Sequence, residues 1–151
     1  MFKRILVPVD GSETSTKALV AALQLARESG GRVRVMHALD ELAYVPGYDY
    51  GADLMRIARD QAGKVLQDAM DVAKSSGVPS DSRLVEVPGR RLGDVVADEA
   101  ESWEADLIVT GTHGRRGIGR ALLGSGAEQV IRMAPVPVLT IRGDDAKRPR
   151  G

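Results

Sequence analysis

Short apolar runs rich in β-branched residues alternate along this chain with longer segments whose apolar residues recur at helical spacing. Apolar runs of about four to eight residues between turn residues are typical of strands, and a period of about 3.6 residues indicates helices. Strands that are separated by helices need crossover connections, so they are expected to lie parallel in one sheet. The alternation therefore predicts a single α/β domain with an open parallel sheet and helices on both faces.

Five strands and four helices can be assigned from this pattern. The predicted strands are Ile5–Val9, Arg32–Leu39, Ser82–Val87, Ala105–Thr110 and Val136–Ile141. The predicted helices contain the apolar positions of segments 18–26, 54–72, 92–103 and 127–133. Ser12 is placed to cap the first helix, and Gly30-Gly31 is placed to end it. We expect the domain to span residues 1–143, with residues 144–151 as a flexible polar tail.

Composition excludes several classes of function. The 21 basic and 21 acidic residues balance, whereas nucleic-acid binders usually carry a basic excess, so no nucleic-acid partner is expected. The chain has no cysteine, which excludes disulfides and cysteine-based metal or redox chemistry. The first apolar run is too short for a signal peptide, and no window approaches the roughly 20 apolar residues of a membrane span. We therefore expect a cytoplasmic protein without a membrane partner.

The segment from Gly111 to Gly126, GTHGRRGIGRALLGSG, follows the fourth predicted strand and leads into the last helix. A strand, a glycine loop and a helix N-terminus together form a layout that holds phosphate on main-chain N–H groups. Gly114 can adopt a positive φ, and residues 124–126 can place N–H groups and one hydroxyl at the helix start. The alternative is a glycine-rich surface loop in which Ser125 is an ordinary N-cap.

Two general phosphate motifs fail on this segment. A P-loop needs Lys and then Ser or Thr, where this chain has Arg120 and Ala121. A dinucleotide fingerprint needs G-x-G-x-x-G after the first strand, and Asp10-Gly11-Ser12 lacks it. The remaining pattern is G-x2-G-x9-G-[ST]. Ligands of parallel sheets bind beyond the carboxyl ends of the strands, so Asp10 and Gly111 would meet in one crevice if the first and fourth strands are neighbours.

The chain resembles the universal stress protein family from Lys3 to Arg142. The resemblance is carried by KRILVPVDGSE, by VRVMHALD and by DLIVTGTHGRRGIGRALLGSGAEQVIRMAPVPVLTIR. The G-x2-G-x9-G-[ST] motif marks the ATP-binding branch of that family, and Gly111, Gly114, Gly124 and Ser125 match it. The resemblance implies an adenine-nucleotide alpha-hydrolase-like fold with strand order 3-2-1-4-5. It also implies a nucleotide-dependent regulatory role in stress response. A slow ATPase or a phosphoryl or adenylyl transferase is the alternative.

The resemblance further implies roles for individual residues. Asp10 and the main chain of Ala38 would hold adenine, and Pro8 and Gly111 would lie beside the ribose. The phosphates of ATP, ADP or AMP would meet Gly114, Gly124, Ser125 and Gly126. The full binding set is Pro8, Val9, Asp10, Ala38, Gly111, Thr112, Gly114, Gly124, Ser125 and Gly126. Mg²⁺ or Mn²⁺ would bind through the phosphates, without protein ligands or a catalytic residue. The family commonly forms homodimers through its last strand, here Val136 to Ile141; a further protein partner is unknown.

Several other polar residues could suggest chemistry. We expect His37 to have a packing or hydrogen-bonding role, His113 to be solvated in its loop, and Trp103 to anchor the third helix. The adjacent carboxylates Asp40–Glu41 and Asp98–Glu99 are expected to be solvated, because neighbouring helical side chains diverge. The roles of two groups of residues stay open. Three arginines could pair with phosphate or be solvated: Arg115, Arg116 and Arg120. Three tyrosines could form a lid or a partner surface: Tyr44, Tyr48 and Tyr50.

Overall fold

The computed structural model describes residues 1–39, 51–86, 89–112 and 124–143, with side chains for all of these except 51–54 and 125. Within these ranges the strands are β1 Arg4–Pro8, β2 Arg32–Ala38, β3 Ser80–Val85, β4 Leu107–Gly111 and β5 Val138–Ile141. The helices are α1 Glu13–Ser29, α2 Gly51–Ser76, α3 Leu92–Trp103 and α4 Ser125–Met133. All neighbouring strands are parallel, in the order β3-β2-β1-β4-β5. The predicted fold class and strand order are confirmed.

Alternate residues of the central strand β1 enter two separate cores. Ile5 and Val7 pack with α1 and α2 on one face of the sheet. Leu6 packs with α3 and α4 on the other face. All three side chains are fully buried. This arrangement explains the unbroken apolar run, since a strand that is covered on both faces has no solvated side.

The element boundaries differ from the prediction in ways that the local chemistry explains. Helix α2 begins and ends a few residues beyond the apolar positions 54–72 that marked it. Strand β3 starts at Ser80 rather than Ser82, because this edge strand begins with exposed polar residues. Strand β4 starts at Leu107 rather than Ala105, because the Asp106 carboxylate accepts bonds from the N–H groups of Lys3 and Arg4. Strand β5 begins only after Pro137.

Helix α1 has the predicted ends. The Ser12 hydroxyl accepts a bond from the N–H of Ser15 at 3.1 Å, as an N-cap does. At the other end Gly30 has a left-handed backbone with φ of 71°, and its N–H donates to the carbonyl of Ala26. The cap at Ser12 starts the helix directly after β1, so the N-terminus of α1 lies at the carboxyl edge of the sheet.

The prediction for the carboxylate pair in α3 is wrong for Glu99. Asp98 is exposed and pairs with Arg90, but the Glu99 side chain is only 6% exposed and binds Arg34 at 2.9 Å and Arg83 at 2.7 Å. Hydrogen bonding to the Asp81 carboxylate, with a smaller contribution from Glu99, raises the pKa of Arg34 above its ordinary value. Glu99 lies one helical turn from Val95 and from Trp103, on the buried stripe of α3. Its charge is accommodated because the arginines reach it from β2 and β3.

Trp103 is a buried anchor at the end of α3, as predicted. The guanidinium carbons of Arg4 and Arg34 lie 4.7 and 4.9 Å from its ring centroid. Cations over an indole ring at this distance are attracted by its π-electrons. The end of α3 is thereby attached to β1 and β2. Over the ranges that the structure covers, no helix combines the length and apolar character needed to cross a membrane.

Candidate nucleotide site at the carboxyl edge of the sheet

The carboxyl ends of β1, β2 and β4 lie side by side at one edge of the sheet. Pro8 is in register with Met36 of β2, and Leu6 with Ile108 of β4. The segment that leaves β1 at Val9 and Asp10 therefore emerges between the ends of these two strands. The expectation that the first and fourth strands are neighbours is confirmed, and Asp10 and Gly111 belong to the same edge.

Hydrogen bonds to two consecutive residues of β2 hold the residue that follows β1. The N–H of Val9 donates to the carbonyl of Met36 at 2.8 Å, and the Val9 carbonyl oxygen lies 2.6 Å from Nδ1 of His37. The hydrogen-bonding role predicted for His37 is confirmed. Both main-chain polar groups of Val9 thus have protein partners, and its side chain is buried. Val9 therefore helps to stabilise this edge of the sheet.

Asp10 starts the turn into α1. Its Oδ1 accepts a bond from the N–H of Ser12 at 2.9 Å, and its own N–H faces the hydroxyl oxygen of Ser15 at 3.4 Å. A carboxylate bonded to the main chain two residues ahead forms an Asx turn, which orients the side chain. Gly11, with φ of 84°, completes this turn beside Val65 of α2.

The start of α4 is attached to the ends of β4 and β5 through Thr112. The Thr112 N–H donates to the Ile141 carbonyl at 2.9 Å, and the Thr112 carbonyl accepts from the N–H of Gly124 at 2.7 Å. Gly124 has the extended backbone of an N-cap, with φ of −62° and ψ of 148°, and makes no side-chain cap bond. Ser125 is therefore the first residue of the helix, and the alternative that it is the N-cap is wrong.

The bond between Gly124 and Thr112 reduces the number of N–H groups that the start of α4 can offer to a phosphate. Three N–H groups were expected there, but that of Gly124 already has a partner in the chain. The first N–H groups of a helix lack partners within the helix. Those of Ser125, Gly126 and Ala127 therefore suit an anion at this end of α4, since the first bond within the helix runs from the N–H of Glu128 to the carbonyl of Gly124.

Two glycines of the predicted binding set also allow close packing. A Cβ atom at Gly111 would lie 2.7 Å from the Cγ2 atom of Thr14 in α1. A Cβ atom at Gly126 would lie 2.9 Å from the Cδ2 atom of Leu92 in α3. Both distances are shorter than ordinary carbon–carbon contacts. Gly111 therefore has a reason in the fold that is independent of any ligand, since its neighbours include the main chain of Thr14, whereas at Gly126 the obstacle is only the flexible end of Leu92.

Sequence reasoning missed Gly93 and Gln129, which seat α4 against α3. The N–H of Gly93 donates to Oε1 of Gln129 at 3.1 Å. A Cβ atom at Gly93 would lie 2.7 Å from the main-chain oxygen of Gln129. The signal that could have indicated this contact is a glycine inside a helical pattern, which often marks close packing.

The family model described as the universal stress protein family matches residues 1–142. The chain belongs to the universal stress protein family. A universal stress protein from Thermus aquaticus is 34% identical to it over 142 residues, covering 94% of this chain and 100% of that protein. The crystal structure of a universal stress protein family member from Burkholderia pseudomallei has a TM-score of 0.74 and 34% identity, covering 93% of this chain and 96% of that chain.

Two solved structures of universal stress proteins are complexes with adenine nucleotides. One is in complex with cAMP, with 28% identity and a TM-score of 0.68, covering 93% of this chain and 98% of that chain. The other, from Archaeoglobus fulgidus, is in complex with dAMP, with 25% identity and a TM-score of 0.64, covering 93% of this chain and 98% of that chain. Both share the five-stranded α/β fold of this universal stress protein.

Several predicted residues lie outside the described residues of this universal stress protein. They are Asp40–Glu41, Tyr44, Tyr48, Tyr50, His113, Gly114, Arg115, Arg116, Arg120 and the tail 144–151, together with the Ser125 side chain. Of the predicted binding set, the structure brings together the residues at the ends of β1, β2 and β4 and the main chain at the start of α4. Among the side chains that are described, no group of three or more His, Asp or Glu could hold a metal ion.

Proposed function

We propose that this universal stress protein binds adenine nucleotides, ATP among them, at the carboxyl edge between β1 and β4. Nucleotide occupancy would then regulate its activity in a cytoplasmic stress response. The observation that carries the proposal is the bond from Gly124 to Thr112, which joins the N-terminus of α4 to the end of β4. An anion-favouring helix end and the oriented carboxylate of Asp10 thereby belong to one edge of the sheet. The related proteins in complex with cAMP and dAMP support the choice of adenine.

The residues at this edge suit the parts of a nucleotide. Asp10 offers an acceptor for the amino group of adenine, and Ala38 offers main-chain groups at the end of β2. Pro8 and Gly111 would lie beside the ribose. The phosphates would take the N–H groups of Ser125 and Gly126, the Ser125 hydroxyl and the Gly114 main chain. Gly124, Thr112 and Val9 would support this set through the main-chain bonds already described.

A metal ion would bind together with the nucleotide. Mg²⁺ prefers oxygen ligands, keeps several waters and usually binds through phosphates rather than through a cage of protein groups. The described side chains include no acidic cluster for such a cage, and a phosphate-bound Mg²⁺ or Mn²⁺ needs none. The donor set of this edge therefore fits a metal that is held by the phosphates and water.

We propose that the protein acts through the binding of nucleotide rather than through its catalytic turnover. The titratable side chains at the ends of β1 and β2, Asp10 and His37, both bind main-chain groups of the protein. A slow ATPase or a phosphoryl or adenylyl transferase is the competing function. Steady turnover above roughly 1 s⁻¹, the low end of ordinary enzymes, would favour that alternative.

We also propose that two copies pair through Val136 to Ile141. Strand β5 is an edge strand without a charged residue, and Leu139 on it is 39% exposed. Ile131 and Met133 at the end of α4 are also exposed apolar residues. The opposite edge strand, β3, carries Asp81 and Arg83, and charged side chains protect an edge against pairing. The contrast favours β5 as the pairing edge.

Calorimetric titration of the purified protein with ATP, ADP and AMP tests the proposed nucleotide site. We expect saturable binding of at least one of them. Dissociation constants above about 1 mM for all three would overturn the proposal, since such binding is worth less than about 4 kcal/mol. Gly114→Val should abolish binding and leave Tm nearly unchanged. The matched control is Gly63→Val, at an exposed position of α2 where a Cβ meets nothing within 4 Å, and it should bind as the natural protein does.

A further inference from the structure

We propose that His37 is a positioning residue that gives the site a preference for adenine over guanine, by fixing the peptide unit that leads into Asp10. This inference rests on the proposed function, because it concerns the base of the nucleotide proposed to bind there. His37 lies near the end of β2 and is half-buried. It does not need to touch the nucleotide to act in this way.

The contact between His37 and Val9 shows which nitrogen of the imidazole ring carries a proton. Nδ1 of His37 is 2.6 Å from the carbonyl oxygen of Val9. A carbonyl oxygen can only accept a hydrogen bond, so Nδ1 carries the hydrogen and donates it. A half-buried bond of this length holds the ring and the carbonyl in one arrangement.

The peptide unit between Val9 and Asp10 is held mainly by this bond. Its carbonyl accepts from His37 at 2.6 Å, whereas its N–H faces the Ser15 hydroxyl oxygen at the long distance of 3.4 Å. The N–H of Val9 belongs to the preceding peptide unit, which the sheet holds through Met36. Loss of the imidazole donor would therefore free the unit that sets the direction in which Asp10 leaves the strand.

The orientation of Asp10 matters because a carboxylate distinguishes the two purines. Its contact with Ser12 in the described part of the chain uses Oδ1, so Oδ2 can meet a base. An ionised carboxylate only accepts hydrogen bonds. Held against the 6-position of the purine, it attracts the amino group of adenine and repels the oxygen of guanine, whereas a displaced carboxylate could accept from the N1–H and 2-amino groups of guanine instead. A displacement of about 1 Å is enough to weaken such a contact strongly.

The test compares ATP and GTP binding by the full chain and by variants at position 37, with Tm as the measure of folding. His37→Leu removes the donor and replaces the imidazole with an apolar side chain. We expect it to lose about tenfold in ATP affinity, with the ratio of ATP to GTP affinity falling towards one. His37→Asn retains an N–H near the position of Nδ1, so it should keep most of the affinity and the ratio. His37→Gln carries its N–H one bond further and should behave like His37→Leu.

The outcomes separate the two proposals. If the natural protein binds neither nucleotide, the proposed function fails and this inference fails with it. If the natural protein binds ATP but does not prefer it to GTP, or if His37→Leu weakens both nucleotides equally, the inference alone is overturned. Should His37→Leu fail to fold, the comparison of His37→Asn with His37→Gln still decides, because equal ratios for these two variants would contradict a role for the donor at Nδ1.

Discussion

Gly111 at the end of β4 lies directly against Thr14 in the first turn of α1. A Cβ atom at position 111 would be 2.7 Å from the Thr14 Cγ2 atom and 3.2 Å from its main-chain carbon and oxygen. A side chain at position 111 would therefore push the first turn of α1 away from the sheet. The first glycine of the family motif is thus required by the packing of two elements, whatever binds beside it.

We expect Gly111→Ala to lower the free energy of unfolding by about 1–3 kcal/mol, the usual cost of adding a methyl group to a packed contact. Urea denaturation followed by the fluorescence of Trp103, the only tryptophan, measures this. Thr14→Ser should restore part of the loss, because it removes the nearest methyl group. Gly63→Ala is the control and should raise stability by about 0.5–1 kcal/mol, since it replaces a glycine inside a helix. Equal effects of the two alanine variants would contradict the packing role.

Glu99 should contribute far more to stability than its neighbour Asp98. Glu99→Gln removes the charge that pairs with both Arg34 and Arg83, and hydrogen bonds to charged groups are worth about 1.5–3 kcal/mol. Arg34 cannot relieve the loss by releasing its proton, because a guanidinium stays charged at ordinary pH, and hydrogen bonding to Asp81 raises its pKa further. Asp98→Asn should cost less than about 1 kcal/mol, as exposed ion pairs do. Urea unfolding measures both, and a Glu99→Gln variant as stable as Asp98→Asn would refute the assignment.

The order of the elements could be predicted because each one carries its own periodicity and its own turn residues. An unbroken apolar run placed Ile5 and Leu6 on the first strand, and Gly30 marked the end of α1. The burial of Glu99 could not be predicted in this way. A carboxylate is accommodated on the buried face of α3 only because arginines arrive from β2 and β3, and local patterns contain no information about such distant partners.

The candidate site could likewise be predicted only in part. The spacing of glycines indicated Gly111 and Gly124, and the end of the first strand indicated Asp10. The spacing could not show that the N–H of Gly124 is used by Thr112, or that His37 binds the carbonyl of Val9. These are contacts between the ends of different elements, which exist only once the sheet has formed.

Gly93 and Gly126 should respond differently to the same substitution, although both lie where α3 meets α4. A methyl group at Gly93 would meet the main-chain oxygen and carbon of Gln129 at 2.7 and 2.8 Å, and the main chain cannot move aside alone. We expect Gly93→Ala to cost about 2 kcal/mol or more, because the two helices must separate.

At Gly126 the obstacle is the far end of the flexible Leu92 side chain, at 2.9 Å. We expect Gly126→Ala to change stability by less than about 1 kcal/mol, since the better helix propensity of alanine offsets a shift of Leu92. Its main-chain N–H is kept, so nucleotide affinity should also be kept. Thermal and urea unfolding of both variants check the contrast, and a larger loss at position 126 than at position 93 would show that α4 is seated differently.

The proposed pairing through β5 predicts that one charge on this strand separates the two copies. Leu139→Lys places an ammonium group on the exposed side of the edge strand, where pairing with a second β5 would bury it. Light scattering after gel filtration should show the mass of a dimer for the natural protein and of a monomer for the variant. Val20→Lys is the matched control, because Val20 is a similarly exposed apolar residue on α1, and it should remain dimeric. A monomeric natural protein, or a dimeric Leu139→Lys, would exclude β5 as the pairing edge.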